Sequence, residues 1–211
     1  MKLKVLNIED KKVETIDVSD KILNLQLNKK LIKNVIDWQL NNRKPRLAKT
    51  KQRNEIKGST KKIVPQKGSG GARHASKKAP IFVGGGVAHG PKGNVYKVKK
   101  INKKIKKAAI AQSLSEKNRS KNLFIITDVK KEVKKTKSLN NFLVNNRLTN
   151  SLLITDDETF KNLKKSAKNI KNIKMINNVG TNVLDILKYK NVLITQTSLK
   201  NIEGRLLNEK N

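Results

Sequence analysis

Apolar residues recur along this chain in three rhythms, and the rhythm breaks twice. Near the start the spacing is short. Val5, Leu6 and Ile8 precede the polar turn Glu9-Asp10-Lys11-Lys12, and Val13, Ile16 and Val18 follow it, which predicts two short strands over 2–18. Leu31, Val35 and Trp38 then recur at spacings of four and three, with Ile32, Ile36 and Leu40 alongside, predicting a helix over 28–41 with Trp38 as core filling. The period stops at Asn41-Asn42-Arg43-Lys44-Pro45. For about fifty residues no helical or strand pattern is sustained, a length that normally marks a functional or disordered segment. Order returns over 100–117, where Ile101, Ile105, Ala108 and Ala109 mark one face and Lys103, Lys104, Lys106 and Lys107 the other.

From residue 120 the rhythm changes again. Leu123-Phe124-Ile125-Ile126-Thr127, Leu152-Leu153-Ile154-Thr155, Ile173-Lys174-Met175-Ile176 and Val192-Leu193-Ile194-Thr195 are short apolar runs. Helical patterns over 136–147, 158–169, 181–189 and 197–208 lie between and after them. Such runs read as strands buried on both faces, and their alternation with helices implies a parallel sheet. Thr155-Asp156-Asp157-Glu158 fits a capping box at a strand-to-helix turn. The expected fold class is α/β: one three-layer domain, residues 1–42 and 100–211, with a mainly parallel sheet flanked by helices. A long extended basic loop, residues 43–99, is inserted between the first two helices.

Charge sharpens the meaning of that insert. Residues 43–107 hold 21 lysines and arginines, 9 glycines and all 4 prolines, with Glu55 as the single acid. The whole chain carries a formal net charge of +33. Lysine bias from an AT-rich genome would spread evenly; it would not gather beside glycine and proline while excluding acids. A segment of this kind cannot bury a core, and its like charges repel until a polyanion neutralises them. Nucleic acid fits, because each cation placed at a phosphate releases condensed counterions.

Other chemistries find little support. The chain has no cysteine, which removes disulfides, thiolate catalysis and thiolate-bound zinc. No apolar leader precedes Lys2-Leu3-Lys4-Val5-Leu6, and no run of about 18 apolar residues occurs. A cytoplasmic protein with no membrane partner is expected, rather than one sent to an organelle. Gly68-Ser69-Gly70-Gly71-Ala72-Arg73 lacks the lysine and hydroxyl residue of a phosphate loop, and Gly84-Gly85-Gly86 lacks the third glycine of a dinucleotide fingerprint. These glycines instead suit close backbone approach to phosphates and turns at positive φ. Asp156, Asp157 and Glu158 read as helix capping rather than a metal cluster. His74 and His89 lie in the basic segment, where a base or phosphate contact fits better than catalysis. Nothing pairs a nucleophile with a base, so no enzyme, cofactor, metal or small-molecule substrate is expected. With only Phe82 and Tyr96 as aromatics, the segment suits phosphates, 2′-hydroxyls and shape rather than stacked single strands.

Lys61-Lys62, Gln66-Lys67-Gly68-Ser69-Gly70 and Ala72-Arg73 resemble the basic glycine loop of the bacterial-type ribosomal protein L-four family of the large subunit. So do Ala79-Pro80-Ile81-Phe82 with Gly84-Gly85-Gly86-Val87, and Lys100-Ile101-Asn102-Lys103-Lys104 running into Ala108-Ala109 and Leu114-Ser115-Glu116. The similarity is continuous from about Arg43 to Glu116, and the strand–helix alternation that follows suits the same family. The resemblance implies a structural, assembly-supporting protein whose loop threads into large-subunit rRNA and reaches the wall of the peptide exit tunnel. Implied partners are that rRNA, neighbouring large-subunit proteins and the nascent peptide.

On that basis Arg43, Lys44, Arg46, Lys49, Lys51 and Arg53 line the ingoing leg. Lys61, Lys62, Gln66, Lys67, Gly68, Ser69, Gly70 and Arg73 form the tip. Lys77, Lys78, Lys92, Lys97, Lys99, Lys100, Lys103, Lys104 and Lys107 anchor the return, and His74, Phe82, Gly84, Gly85 and Gly86 are further expected RNA contacts. Val64 and Pro65 stand where the family usually has tryptophan and arginine, and Gly71 where a second arginine is common. An alternative, a non-ribosomal nucleic-acid architectural protein, would use Ile63, Val64 and Phe82 as apolar wedges. An enzyme would need a polar constellation at the strand ends, where Thr127-Asp128, Thr155-Asp156, Asn177-Asn178 and Thr195-Gln196 read as turn and cap residues.

Overall fold

A computed structural model describes residues 2–7, 14–93, 99–130, 133 and 135–207. Strands β1 (Lys2–Leu6) and β2 (Glu14–Asp17) pair antiparallel, with Lys2 opposite Asp17 and Val5 opposite Glu14. The expected turn between them, with Ile8 and Val13, lies outside the described residues. β1 then pairs in parallel with β3 (Leu123–Ile126), Val5 opposite Ile125. Next come β6 (Asn191–Thr195), β4 (Ser151–Thr155) and β5 (Ile173–Asn177), so the six-stranded sheet runs β2-β1-β3-β6-β4-β5. Every pairing except β1 with β2 is parallel.

The chain divides into two compact units, Met1–Leu40 with Lys100–Asn211, and Asn41–Lys99. The first is the α/β unit. Its sheet is covered on both faces, and period-two alternation sorts each strand's side chains between two cores. Ile125, Leu152, Ile154, Val192 and Ile194 face one core, with Ile32 and Val35 of α2 (Lys29–Arg43) and Leu114 of α3 (Lys103–Arg119). Ile126, Leu153 and Leu193 face the other, against α4 (Thr136–Asn145) through Leu139 and Leu143, and α5 (Asp157–Ala167) through Leu163. The helices α6 (Val183–Lys188) and α7 (Gln196–Leu207) place Val183, Ile186, Leu199 and Ile202 in the first core. β4 and β6 are buried at all five positions, the reason their sequences read as continuous apolar runs. Among the described residues no helix is long and apolar enough to cross a membrane.

Five local expectations need correction. A one-turn helix, α1 (Asp20–Leu23), precedes α2, so the insert follows the second helix described, not the first. One turn shows no period and is not stable alone. It is held by burial of Ile22 and Leu23 and by Ser115 of α3, whose Oγ donates to Ile22 O at 2.7 Å and accepts from Leu25 N–H at 3.1 Å. Helix α2 continues to Arg43, two residues beyond the apolar pattern; Pro45 then disfavours helical geometry at Lys44.

Trp38 is only half-buried rather than core filling, and the ammonium of Lys106 lies 4.2 Å from its ring centroid. In α3, burial begins at Ala109 and Ile110, while Ile105 is exposed. Of the face read as Ile101, Ile105, Ala108 and Ala109, only Ala109 is fully buried; Ile101 and Ala108 are half-buried and Ile105 faces solvent. Finally, the N-cap of α5 is Asp156, whose side chain accepts from Thr159 N–H. Thr155 ends β4, and its buried hydroxyl has no hydrogen bond among the described residues.

Candidate nucleic-acid interface

Asn41–Lys99, here called the arm, contains no α-helix or multi-residue strand among its described residues after α2 ends, yet its two legs run antiparallel in a defined register. Gly93 N–H donates to Ala48 O and Thr50 N–H to Pro91 O, each at 2.9 Å, around an isolated bridge between Lys49 and Lys92. Val87 N–H then donates to Lys51 O at 2.9 Å, and Ile63 N–H to Ala75 O at 3.0 Å nearer the tip. Between the second and third of these rungs the returning leg carries extra residues. Ala88-His89-Gly90 bulges there, with His89 at φ 58°.

The returning leg folds into consecutive turns. Ala79 N–H donates to Ser76 O, Phe82 N–H to Ala79 O and Gly85 N–H to Phe82 O, while Gly86 N–H reaches Lys78 O. Glycine is required here by space. A Cβ on Gly85 would lie 2.0 Å from Ala79 O, and one on Gly86 would lie 2.3 Å from Arg53 N on the opposite leg. The N–H groups of Gly85 and Gly86 are thus spent within the arm, and these glycines serve backbone packing. The tip differs. Gly68 and Gly70 adopt φ of 84° and 65°, and a Cβ there or on Gly71 would meet nothing within 4 Å. Gln66 closes the tip: its side-chain oxygen accepts from Lys62 Nζ at 2.7 Å and its carbonyl from Arg73 Nε at 3.2 Å.

Glu55 is engaged internally. Its carboxylate accepts from Gln52 N–H at 3.1 Å and pairs with Lys49 Nζ at 3.0 Å. The backbone hydrogen bond from Gln52, then the Lys49 ammonium, hold its carboxyl below the ordinary value of 4.5. The arm's single negative charge therefore closes a turn, leaving the surrounding cations with no other acid in the segment.

The expected contact residues fall into three groups. Arg43, Lys44, Lys49, Lys51, Arg53, Lys61, Lys62, Lys67, Arg73, Lys77, Lys92 and Lys99 are exposed, with Ser69 among them at the tip; Arg46 and Lys78 are half-buried. His74 and Phe82 contact each other edge-on, ring centroids 5.0 Å apart, which gives both a role inside the arm. Gly84 makes a turn at φ 77°. Lys97, like Tyr96, lies outside the described residues. Lys100, Lys103, Lys104 and Lys107 belong to the α/β unit; the first three are exposed and Lys107 is half-buried. The first turn of α3 has no acid, and its N-cap Asn102 makes no side-chain cap bond. Cations at a helix N-terminus oppose the helix dipole, so an anionic partner would relieve an unfavourable arrangement.

Sequence reasoning passed over Lys57, exposed in the same basic run, and Gln52 and Asn54, which flank Arg53. The alternation of amide, guanidinium and amide was the available signal. The wedge candidates Ile63, Val64 and Phe82 are each half-buried, while Ile81 and Val83, on either side of Phe82, are exposed. At the strand ends the carboxylates act as caps. Asp128 accepts from Thr197 N–H at 3.2 Å and from its hydroxyl, Asp156 caps α5, and Asp157 accepts from Asn177. Among the described residues no group of three or more His, Cys, Asp or Glu could hold a metal.

Comparison with known proteins adds an independent line. Residues 16–205 match the profile of the Ribosomal protein L4/L1 family. The chain is 49% identical over 206 residues to the large ribosomal subunit protein uL4 of Pelagibacter ubique (strain HTCC1062), covering 97% of this chain and 99% of that one. It is 37% identical over 205 residues to the same-named protein of Geotalea uraniireducens (strain Rf4), covering 97% and 98%. Against that of Thermotoga petrophila it is 39% identical over 224 residues, covering 97% and 95%.

Proposed function

Because this chain belongs to the ribosomal protein L4/L1 family, we propose that its basic arm binds large-subunit rRNA and helps that RNA fold during assembly. The protein is a structural constituent of the large ribosomal subunit, and its family is structural rather than enzymatic. The observation that carries the RNA reading is the charge arrangement of the arm. Exposed lysines and arginines line both legs and the tip, and the one acid, Glu55, is consumed by Gln52 and Lys49. Neutralised phosphates let RNA helices approach one another, which is the physical content of a scaffolding role.

In this reading the α/β unit is a single globular domain into which the arm is inserted. The tip, Lys61 to Arg73, reaches the wall of the peptide exit tunnel and the nascent peptide, and neighbouring large-subunit proteins complete the surroundings. The site is the cytoplasmic ribosome. The family resemblance of the loop motifs supports the tunnel placement, and the open glycines at 68, 70 and 71 support close approach by another molecule.

The test is binding of the full chain to large-subunit rRNA across a salt series. Replacing Lys61, Lys62 and Lys67 with alanine is expected to weaken binding and to flatten log K against log salt by about 0.7–0.9 for each phosphate no longer neutralised. An unchanged slope would place those ammonium groups in solvent and remove the tip from the interface.

A further inference from the structure

A cleft of about 1050 Å³ opens within the arm, between its two legs. Among the side chains that line it, alongside Thr60, His89 and Lys92, three kinds each suit one part of a nucleotide. Arg53 and Lys78 supply positive charge. Pro80, Val87 and Ala88 supply an apolar wall. Gln52 and Asn54 supply amides, each with donors and an acceptor, and their side chains make no hydrogen bond among the described residues. No carboxylate lines the cleft, which disfavours a cationic or peptide-amine ligand. Ligand pockets usually occupy ~300–1,000 Å³, so this one admits a nucleotide with space for solvent.

The walls are preset. Gly86 is pressed against the Arg53 backbone, Val87 N–H is bonded to Lys51 O, and Glu55 holds the backbone N–H of Gln52, so both legs are fixed beside the opening. Single-stranded RNA is recognised by splaying out bases and hydrogen-bonding their edges, and amides suit that reading better than ammonium groups do.

We propose that this cleft receives one unpaired nucleotide of the bound RNA, turned out of its helix. Its base lies on the Pro80–Val87–Ala88 wall, Gln52 and Asn54 read the base edge, and Arg53 and Lys78 hold the adjoining phosphates. This rests on the arm binding rRNA. It goes beyond that reading by adding a base-specific contact to a surface otherwise read as phosphate-seeking.

The experiment compares wild type with Gln52→Ala/Asn54→Ala and, separately, Ala88→Phe, which fills the wall from an exposed position. The full chain is bound to a large-subunit rRNA transcript. Base edges are probed with dimethyl sulfate and a carbodiimide, which together report all four bases, and the backbone is probed with hydroxyl radicals. The expected result is an unpaired nucleotide whose base is protected by wild type and re-exposed by both variants. Affinity should fall about ten- to hundredfold with an unchanged salt slope, while backbone protection elsewhere persists. Identical base reactivity and affinity for wild type and both variants would overturn the cleft proposal and leave the arm's RNA role standing. Absence of any backbone protection by wild type would overturn both. Competition by free mononucleotides, with the RNA footprint unaltered, would assign the cleft to a small molecule instead.

Discussion

In the α/β unit the fully enclosed residues include many large apolar ones: Leu152, Ile154, Leu193 and Ile194 have essentially no exposure. Among the described residues of the arm the enclosed ones are Ser76, Gly86 and Gly93, whose side chains are small or absent. One unit is packed by side chains sorted onto two faces of a sheet. The other is packed by backbone against backbone, through hydrogen bonds between its legs and glycines where a methyl group would collide. The difference shows that absence of an apolar rhythm is not absence of defined geometry. It means that the contacts are made by atoms every residue shares, so they leave no periodic trace in side-chain type.

The largest test of this contrast is Leu152→Ala. Deleting a fully buried leucine costs about 2–5 kcal/mol, and the loss should appear in chemical denaturation of the α/β unit followed by emission of Trp38. A cost under about 1 kcal/mol would mean that the sheet core is not the source of stability there. The arm's counterpart is Gly86→Ala, which adds one methyl where the nearest backbone atom would be 2.3 Å away. It should cost about 1–3 kcal/mol locally and be read as faster hydrogen exchange at Val87 and Gly86. Gly71→Ala, with open space around it, is the control and should change exchange by less than about 0.5 kcal/mol. Equal behaviour of the two glycines would refute backbone packing in the arm.

Smaller effects separate caps from charge clamps. Asp156→Ala removes the N-cap of α5 and should cost about 0.5–2 kcal/mol by denaturation, with Asp156→Asn largely retaining stability. The smallest effect is electrostatic. The Glu55 carboxyl is held below its ordinary value by Gln52 N–H and Lys49, so its clamp is present above pH 4.5 and is lost as pH falls through the lowered folded value. Nuclear magnetic resonance of the Gln52 amide should therefore titrate with a midpoint below 4.5, and Glu55→Gln should abolish that titration. A midpoint above the ordinary carboxyl value would contradict the clamp.

Much of the α/β unit is legible in the chain because its contacts leave a signature. Runs such as Val192-Leu193-Ile194 announce strands buried on both faces, and the turn and cap readings at Asp128, Asp156 and Asn177 agree with their hydrogen bonds. Trp38 and Ile105 depart from that signature because apolar type is not the same as burial: Trp38 lies beneath an ammonium group and Ile105 faces solvent near the start of α3. Helix α1 leaves no trace because a single turn has no period; it is held by burial of Ile22 and Leu23 and by Ser115, distant in sequence. In the arm, the basic residues are legible from composition alone. The part played by Gly85 and Gly86 is not, because a glycine spaced for a phosphate and one spaced for a neighbouring carbonyl look alike in the chain.

Side-chain order along the chain was enough to set the alternation of strands and helices after residue 120 and the excess of positive charge in the segment between α2 and α3. These follow from side-chain chemistry, which is local and periodic. Closure in three dimensions set the strand order β2-β1-β3-β6-β4-β5, the register of the arm's legs, the Glu55 clamp and the cleft beside Gln52 and Asn54. Each of those depends on which distant backbone groups meet, and hydrogen bonds between distant groups are chosen by the path of the whole chain rather than by the identity of any one residue.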